Sequence, residues 1–308
     1  MSEKEITIVT HNGGFHTDDV FAVATILLSL EKQNGAGANA KILRTRNPED
    51  FATGDYVVDV GGVYDPATNR FDHHQKGGAG KRETGIPFAS FGLVWKHLGP
   101  IVCGGDDEVA EKIDTSVVAA IDANDNGLDI FKNLFDGVYS PSLSLNFMID
   151  KPTWEERSGD TEMDERFRMV VEKAKAFLER YIIVSAAAVK AKREIRATYT
   201  ASQNKSIIVF AHDYERVNFM QTLALLPEII FFVYPNHSGA WTAETVPVSE
   251  NTFEKRKSFP ESWGGLSGAA LAEVTGVEDA DFCHNGRFFV RASSEAGAIK
   301  LAKIALES

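Results

Sequence analysis

The sequence predicts an α/β protein: a first domain on a mainly parallel sheet, a long connecting helix, and a smaller second α/β domain. Three observations predict it. β-Branched runs alternate with helix-forming segments at βαβ spacing over the first 130 residues. From Met163 to Arg196 the chain carries helix formers and neither Gly nor Pro. A second set of strand-like runs begins near 206. At 308 residues the chain suits two domains of ordinary size. We expect one over 1–200, the connecting helix included, and one over 201–308, with the boundary near 195–205.

The elements follow in order. Residues 6–10, I-T-I-V-T, read as a buried strand ending at His11. Asp18 to Leu30 reads as a buried helix, apolar nearly all round, with acids in its first turn. The runs 40–46 and 56–60 are the next strands, with a short helical turn capped by N-P-E-D at 47–50 between them. A helix from about Phe88 to Leu98 is expected to stop at Gly99-Pro100. Acids at 106–108 open another, reaching Ile121. Beyond an irregular stretch at 136–160 and the long helix, strands are expected at 206–211, 228–234, 241–248 and 287–291, with a closing helix from about Ser294 to Leu306.

Bulk properties exclude several classes. An apolar share of 44% with 25% charged residues describes a soluble globular chain. No apolar run nears the roughly 20 residues of a membrane helix, so no membrane partner is expected. The opening Met1-Ser2-Glu3-Lys4-Glu5 resembles neither a signal nor a transit peptide, and Cys103 and Cys283 show no ligand spacing. An intracellular site, cytoplasm or nucleus, is expected. A net charge of −12 argues against capture of duplex nucleic acid on a broad basic face, though not against a nucleotide or a strand end.

Chemistry concentrates in the first quarter. T-H-N-G-G-F-H-T-D-D at 10–19 and R-F-D-H-H-Q at 70–75 hold four of the eight histidines, and Y-V-V-D-V-G-G at 56–62 lies between them. In open α/β sheets functional groups collect beyond the carboxyl ends of strands. His11 and Asp59 sit at or near such ends. His16 and Asp18 lie on the following loop and first helical turn. Asp72-His73-His74 supplies the next group, and either Asp122 or Asp125 the last. Converging carboxylates stay ionised only beside a compensating cation. Imidazole with carboxylate and no thiolate suits manganese, magnesium or zinc, and the high oxygen share favours manganese. One carboxylate bridging two ions would make the two-metal clamp of phosphoester hydrolysis. Asp19 reads as a helix-start charge. His97, His212 and His237 read as packing or loop residues.

These segments, with R-T-R-N-P-E-D and S-F-G-L-V-W-K-H-L-G, resemble the melanocyte-proliferating-gene family of metal-dependent exonucleases. That family is grouped with the DHH phosphoesterases, alongside RecJ, oligoribonucleases and manganese-dependent inorganic pyrophosphatases. The match is close over roughly 6–130. The resemblance implies a DHH-type first domain and a substrate-binding second domain, with the active cleft between them. It implies that His11, His16 and Asp59 hold one divalent ion. Asp59, Asp18, His73 and an aspartate from 122–125 would hold the other. His74 would face the scissile phosphate, and Asp72 would support a histidine. Two departures stand out. His16 occupies a position that is aspartate in many DHH enzymes, and W-G-G-L-S-G at 263–268 replaces a G-G-G-H motif.

The function implied is 3′-to-5′ exonuclease action on single-stranded RNA, DNA being the variant, releasing nucleoside monophosphates with two manganese ions, or magnesium in their place. Lys76, Lys81 and Arg82, beside the D-H-H segment, are expected phosphate contacts. Gly264 and Gly265 would offer backbone N–H groups to a phosphate, with Arg287, Arg291 and the run Lys255-Arg256-Lys257 as further candidates. Trp263 or Phe259 would stack on bases. Two other readings stay open: a hydrolase of a dinucleotide, nucleotide bisphosphate or pyrophosphate, and a non-catalytic metal- or nucleotide-binding regulator. Oligomeric state is left open, a dimer included.

Overall fold

The computed structural model describes residues 5–35, 40–130, 147–156, 159–249, 252 and 254–308. The chain forms two compact units, residues 1–186 and 187–308. Each has its own five-stranded sheet.

In the first unit the strands are β1 (Ile6–Thr10), β2 (Ala40–Arg44), β3 (Tyr56–Val58), β4 (Tyr64–Asp65) and β5 (Arg70–Phe71). Their order is β2-β1-β3-β5-β4, parallel except for the antiparallel edge strand β4. The connections leave β1 toward β2 and then return to β3 on its other side, so the direction of winding switches between β1 and β3. Such a switch opens a crevice at the carboxyl ends of the two strands. Helix α1 (Thr17–Asn34) buries Val20, Phe21, Val23 and Ile26 completely, as its apolar sequence demands. It packs on α3 (Ser90–Val102), with the Phe21 and Phe91 rings 5.3 Å apart. The short α2 (Pro48–Thr53) is capped by Asn47, whose side chain accepts the Glu49 N–H.

Helix α3 runs past the expected stop. Pro100 lies inside it, and the break comes at Gly104 and Gly105, both at positive φ. A proline near the last turn removes only one ladder bond, which the helix tolerates. The helix expected from 106 to 121 is interrupted: α4 (Asp107–Ile113) passes through a π segment, Asp114–Val118, into α5 (Ala119–Asp125). Helix α6 (Asp160–Ala201) exceeds the expected 163–196 at both ends, and the division between the units falls within it. Most of the stretch read as irregular, 136–160, lies outside the described residues.

The second unit contains β6 (Ile207–Val209), α7 (Arg216–Leu223), β7 (Phe231–Pro235), β8 (Trp241–Thr245), α8 (Gly268–Thr275), β9 (Ala280–Cys283), β10 (Phe289–Ala292) and α9 (Glu295–Glu307). Its sheet, β6-β7-β8-β10-β9, is parallel only between β6 and β7. Strand β9 and helix α7 are too short and mixed in pattern to announce themselves in the sequence. One face of the sheet packs on Leu301, Ala302, Phe259 and Trp263, and the other on Phe219 and Leu223. Phe259 and Trp263 are 0% and 3% exposed, so the proposed stacking of bases on them is corrected: both rings are core.

Candidate metal centre

His11, Asp59 and Asp72 each follow the last residue of a strand, β1, β3 and β5 respectively. These strands are neighbours, with Val9 opposite Val57 and Val58 opposite Phe71. Three residues spread from position 11 to position 72 therefore stand in a row at one sheet edge. Asp59 sits at φ +57°, in the left-handed region that aspartate enters more readily than most residues. The turn points its carboxylate back across the edge, where Oδ2 lies 3.3 Å from His11 Nε2 and Oδ1 lies 3.4 Å from His73 Nε2.

The described residues offer three groups whose donor atoms lie within 4.8 Å of one another: His11, His16 and Asp59; Asp59, His73 and His74; and Asp18, His73 and Asp125. Asp59 belongs to two of them, and His73 joins the second to the third. Asp18 is buried at the start of α1, and its two oxygens accept the Ser90 and Phe91 N–H groups at 3.0 and 2.8 Å. Ser90 Oγ reaches Asp59 Oδ1 at 3.1 Å.

Electrostatics mark the cluster as undercompensated. Burial, then the neighbouring carboxylates of Asp59, Asp125 and Asp122, pushes Asp18 well above the usual carboxylate range. Burial pushes Asp19 up to about 7 against the pull of His11. His73 moves the other way: burial opposes its charge, yet the Asp125 and Asp59 carboxylates, 3.2 and 3.4 Å from its Nε2, raise it to about 10. Asp59 is held well below its usual range, because His11 and His73 overcome its desolvation. Buried polar atoms are almost always satisfied, but Asp19 Oδ2 and His73 Nε2 are buried without a hydrogen-bond partner. Orphaned buried polar atoms and acids that hold protons against their nature mark a polar shell suited to divalent cations. The residues fit divalent ions.

Asp72 and His74 form a separate pair. Asp72 Oδ1 lies 2.7 Å from His74 Nδ1, and its Oδ2 accepts the Gly62 N–H. His74 is 61% exposed on the side chain and lines a cavity of about 700 Å³ together with His11, His16, Asp59, Asp72 and Asp125. With Nδ1 engaged, Nε2 is the ring nitrogen available to a ligand.

The structure separates the two aspartates left open by the sequence. Asp125 Oδ2 lies 3.2 Å from His73 Nε2 and on the cavity wall. Asp122, one helical turn earlier, is fully buried and turned elsewhere: Oδ2 pairs with Arg82 Nη1 at 2.7 Å and Oδ1 accepts the Gly92 N–H at 3.0 Å. Position 92 must be glycine, since a Cβ there would lie 1.8 Å from Asp122 Oδ2. Asp122 is thus not brought to the group, and the expectation that it is a ligand is corrected.

The expected phosphate contacts also change. Arg82 is consumed by Asp114 and Asp122, with its side chain 9% exposed. Lys76 and Lys81 are exposed and line no part of the cavity, whose cationic residues are Arg46 and Lys151. In the second unit Gly264 N–H donates to Glu261 O and Gly265 N–H to Cys283 O, so neither is free for a phosphate. Arg256 donates to the carbonyls of Leu226, Ile229 and Ala224, Lys257 to that of Leu306 and Lys255 to that of Gly286, which makes this run structural. Arg287 donates to the Phe259 carbonyl and Arg291 faces Asp281 at 3.8 Å. His97 bonds the Tyr64 hydroxyl at 2.8 Å, and His237, 95% exposed, lies near Asp213.

A family model, MYG1_exonuc, described as "Uncharacterised protein family (UPF0160)", matches residues 7–306. The chain belongs to this family. Proteins titled MYG1 exonuclease from Mus musculus and Homo sapiens are each 29% identical to it, over 97% of this chain and 84% and 85% of theirs. A MYG1 protein from Chlamydia trachomatis is 29% identical over 92% of this chain and 90% of its own. Among solved structures, RecJ from Thermus thermophilus in complex with Mn2+ aligns at 12% identity with a TM-score of 0.27, covering 98% of this chain and about half of that one, 52%. No helix among the described residues is long and apolar enough to cross a membrane.

Proposed function

We propose that the chain is a metal-dependent exonuclease of DHH type, removing nucleoside monophosphates from the 3′ end of single-stranded RNA. The observation that carries the chemistry is Asp59 shared between donor groups, with His74 beside it on an open cavity. The relatives titled exonuclease support the substrate class. His11, His16 and Asp59 would hold one ion, and Asp59, Asp18, His73 and Asp125 the other; the oxygen-rich, thiolate-free set suits manganese, then magnesium. Bound there, the pair supplies a water made nucleophilic near neutral pH and compensation for charge growing on the phosphoryl group.

The chain's own residues do the rest. Asp72 fixes the His74 ring through Nδ1, so Nε2 can meet a phosphoryl or leaving oxygen. Ser90 Oγ orients the Asp59 carboxylate. Arg46 gives the cavity wall a cation on which a phosphate can rest. In domain terms the first unit carries the chemistry and the cavity that takes the phosphate.

Metal-dependent hydrolysis of end-labelled single-stranded RNA, DNA, a dinucleotide and pyrophosphate, side by side, tests the reading. We expect mononucleotides from 3′-accessible RNA. Release confined to dinucleotide or pyrophosphate would replace it with a small-phosphoester hydrolase, and metal binding without turnover of any of them with a regulator.

A pH dependence follows from the electrostatics. In the metal-free protein Asp19 and His73 are both raised, to about 7 and about 10. Groups raised on folding stabilise fully below their unfolded pKa, and that contribution is lost as pH rises through the folded value. The metal-free chain should therefore lose stability from about pH 4 to about 7 through Asp19 and from about pH 6.5 to about 10 through His73. Manganese needs the deprotonated ligands, so its binding tightens over the same range and releases protons. At fixed free Mn2+, the rise in Tm should be larger at pH 8.5 than at pH 6. An equal or larger rise at pH 6 would contradict the assignment of His73.

A further inference from the structure

Arg44 ends β2, within the segment R-T-R-N-P-E-D that the metal centre leaves unexplained. Its side chain is 1% exposed. The guanidinium carbon lies 5.6 Å from the Phe15 ring and 4.6 Å from the Phe167 ring, both fully buried. Nη1 pairs with Asp164 Oδ1 at 2.8 Å, Nη2 donates to the Gly13 carbonyl at 2.7 Å, and Nε has no hydrogen-bond partner. A permanently charged group buried between aromatic rings, with one donor unsatisfied, is a costly way to fill a core position. An aliphatic side chain would pack there at less expense to stability.

What the charge does there is hold a loop. Residues 12–15 link His11 at the end of β1 to His16 at the start of α1, and Gly13 within the link sits at φ +80°. A link with two adjacent glycines and no strand ladder has wide conformational freedom. Lys151 acts on the same link from another segment. Its Nζ donates to the Phe15 carbonyl at 2.7 Å, lies 5.6 Å from the Phe15 ring, and packs beside Gly14. Two cations, from residues 44 and 151, thus grip the carbonyls at positions 13 and 15, between the two histidines.

We propose that Arg44, seconded by Lys151, is a positioning residue that fixes the His11–His16 link so both imidazoles meet Asp59 around one divalent ion. This rests on the metal-centre reading above and adds to it a residue that touches neither ion nor substrate. Its logic is opposed to its charge. A cation this close to the acids, near enough to favour the ionised form of Asp19, repels a divalent ion. Electrostatics alone therefore say that neutralising Arg44 tightens metal binding, and positioning says that it loosens it.

That opposition of sign is the test. Full-length, metal-stripped protein is titrated with Mn2+ by calorimetry, with free Mn2+ read by electron paramagnetic resonance, for wild type, Arg44→Met and Arg44→Lys. Methionine keeps an apolar stem between the two rings, and lysine keeps the charge but loses the planar fork. We expect both variants to keep wild-type circular dichroism and one wild-type equivalent of Mn2+. The other equivalent should weaken by roughly 10–100-fold, the scale for residues that orient metal ligands. Unchanged or tighter binding in Arg44→Met overturns the proposal. If Arg44→Met fails to fold, Asp164→Asn removes the arginine's anchor and leaves the loop intact; it should weaken the same equivalent toward the lower end of that range, about 10-fold, and no change there overturns the proposal equally. Wild type that binds two ions but hydrolyses nothing defeats the exonuclease reading alone, while wild type that binds no divalent ion removes both.

Discussion

Asp59→Asn should abolish manganese-dependent release of mononucleotides while leaving the fold intact. Asparagine is nearly isosteric and shares aspartate's tolerance of the left-handed backbone at φ +57°, so the turn after β3 survives. What disappears is the charge common to two donor groups. Residues that act as a unit fail together when one is removed. The loss of kcat/KM is expected to reach at least about 10³-fold, or about 4 kcal/mol of transition-state stabilisation. Stripped of metal, the variant lacks the charge that His11 and His73 favour in the fold, so it should melt moderately lower than wild type near neutral pH while still unfolding in one transition. Turnover within a few-fold of wild type would reject the site, and a collapse of Tm would show that the carboxylate serves packing.

The second large effect separates two aspartates a helical turn apart. Asp125→Ala removes a partly accessible carboxylate at the cavity wall and should cost activity by about 10²-fold or more with little change in Tm. Asp122→Ala removes a fully buried one and leaves the Arg82 guanidinium with Asp114 alone and the Gly92 N–H unpaired. Breaking one side of a buried ion pair costs about 3 kcal/mol or more. This variant should therefore unfold several degrees earlier while its folded fraction still turns over substrate. Calorimetry and steady-state kinetics on the same two preparations decide it, and an exchange of the two phenotypes would put Asp122 at the metal.

Much of the centre was legible because it depends on strand ends. β-Branched runs that stop at His11 and around Asp59 announce two strands and the groups they deliver, and a parallel sheet brings those ends together. The two-residue strand Arg70–Phe71 that delivers Asp72 has no such run and was not legible. The choice between Asp122 and Asp125 was not legible, since it turns on Arg82 forty residues away occupying one of them. Asp19 reads as a helix-start charge, and it does accept the His16 and Val20 N–H groups in that role; its second oxygen, buried toward His11, is visible only in three dimensions. The aromatic and glycine candidates of the second unit failed for a common reason. Composition shows that Trp263 could stack and that Gly265 could bind an anion, but not that the core and Cys283 O already claim them. Arg44 was not legible at all, because nothing local in the sequence shows that two rings close around a charged residue at this strand end.

Helix α3 begins without a capping side chain of its own, for Ala89 stands at its N-cap. Its first three N–H groups find acceptors on Asp18 and Asp122, contributed by α1 and α5 from 72, 73 and 30 residues away. Local sequence therefore cannot nucleate this end of the helix, and the cost of closing those long loops falls on its first turn. That turn closes only on contacts distant in sequence. One of the two acids that seat it, Asp18, also belongs to the donor groups of the centre, so a single carboxylate serves both the helix end and the reactive corner.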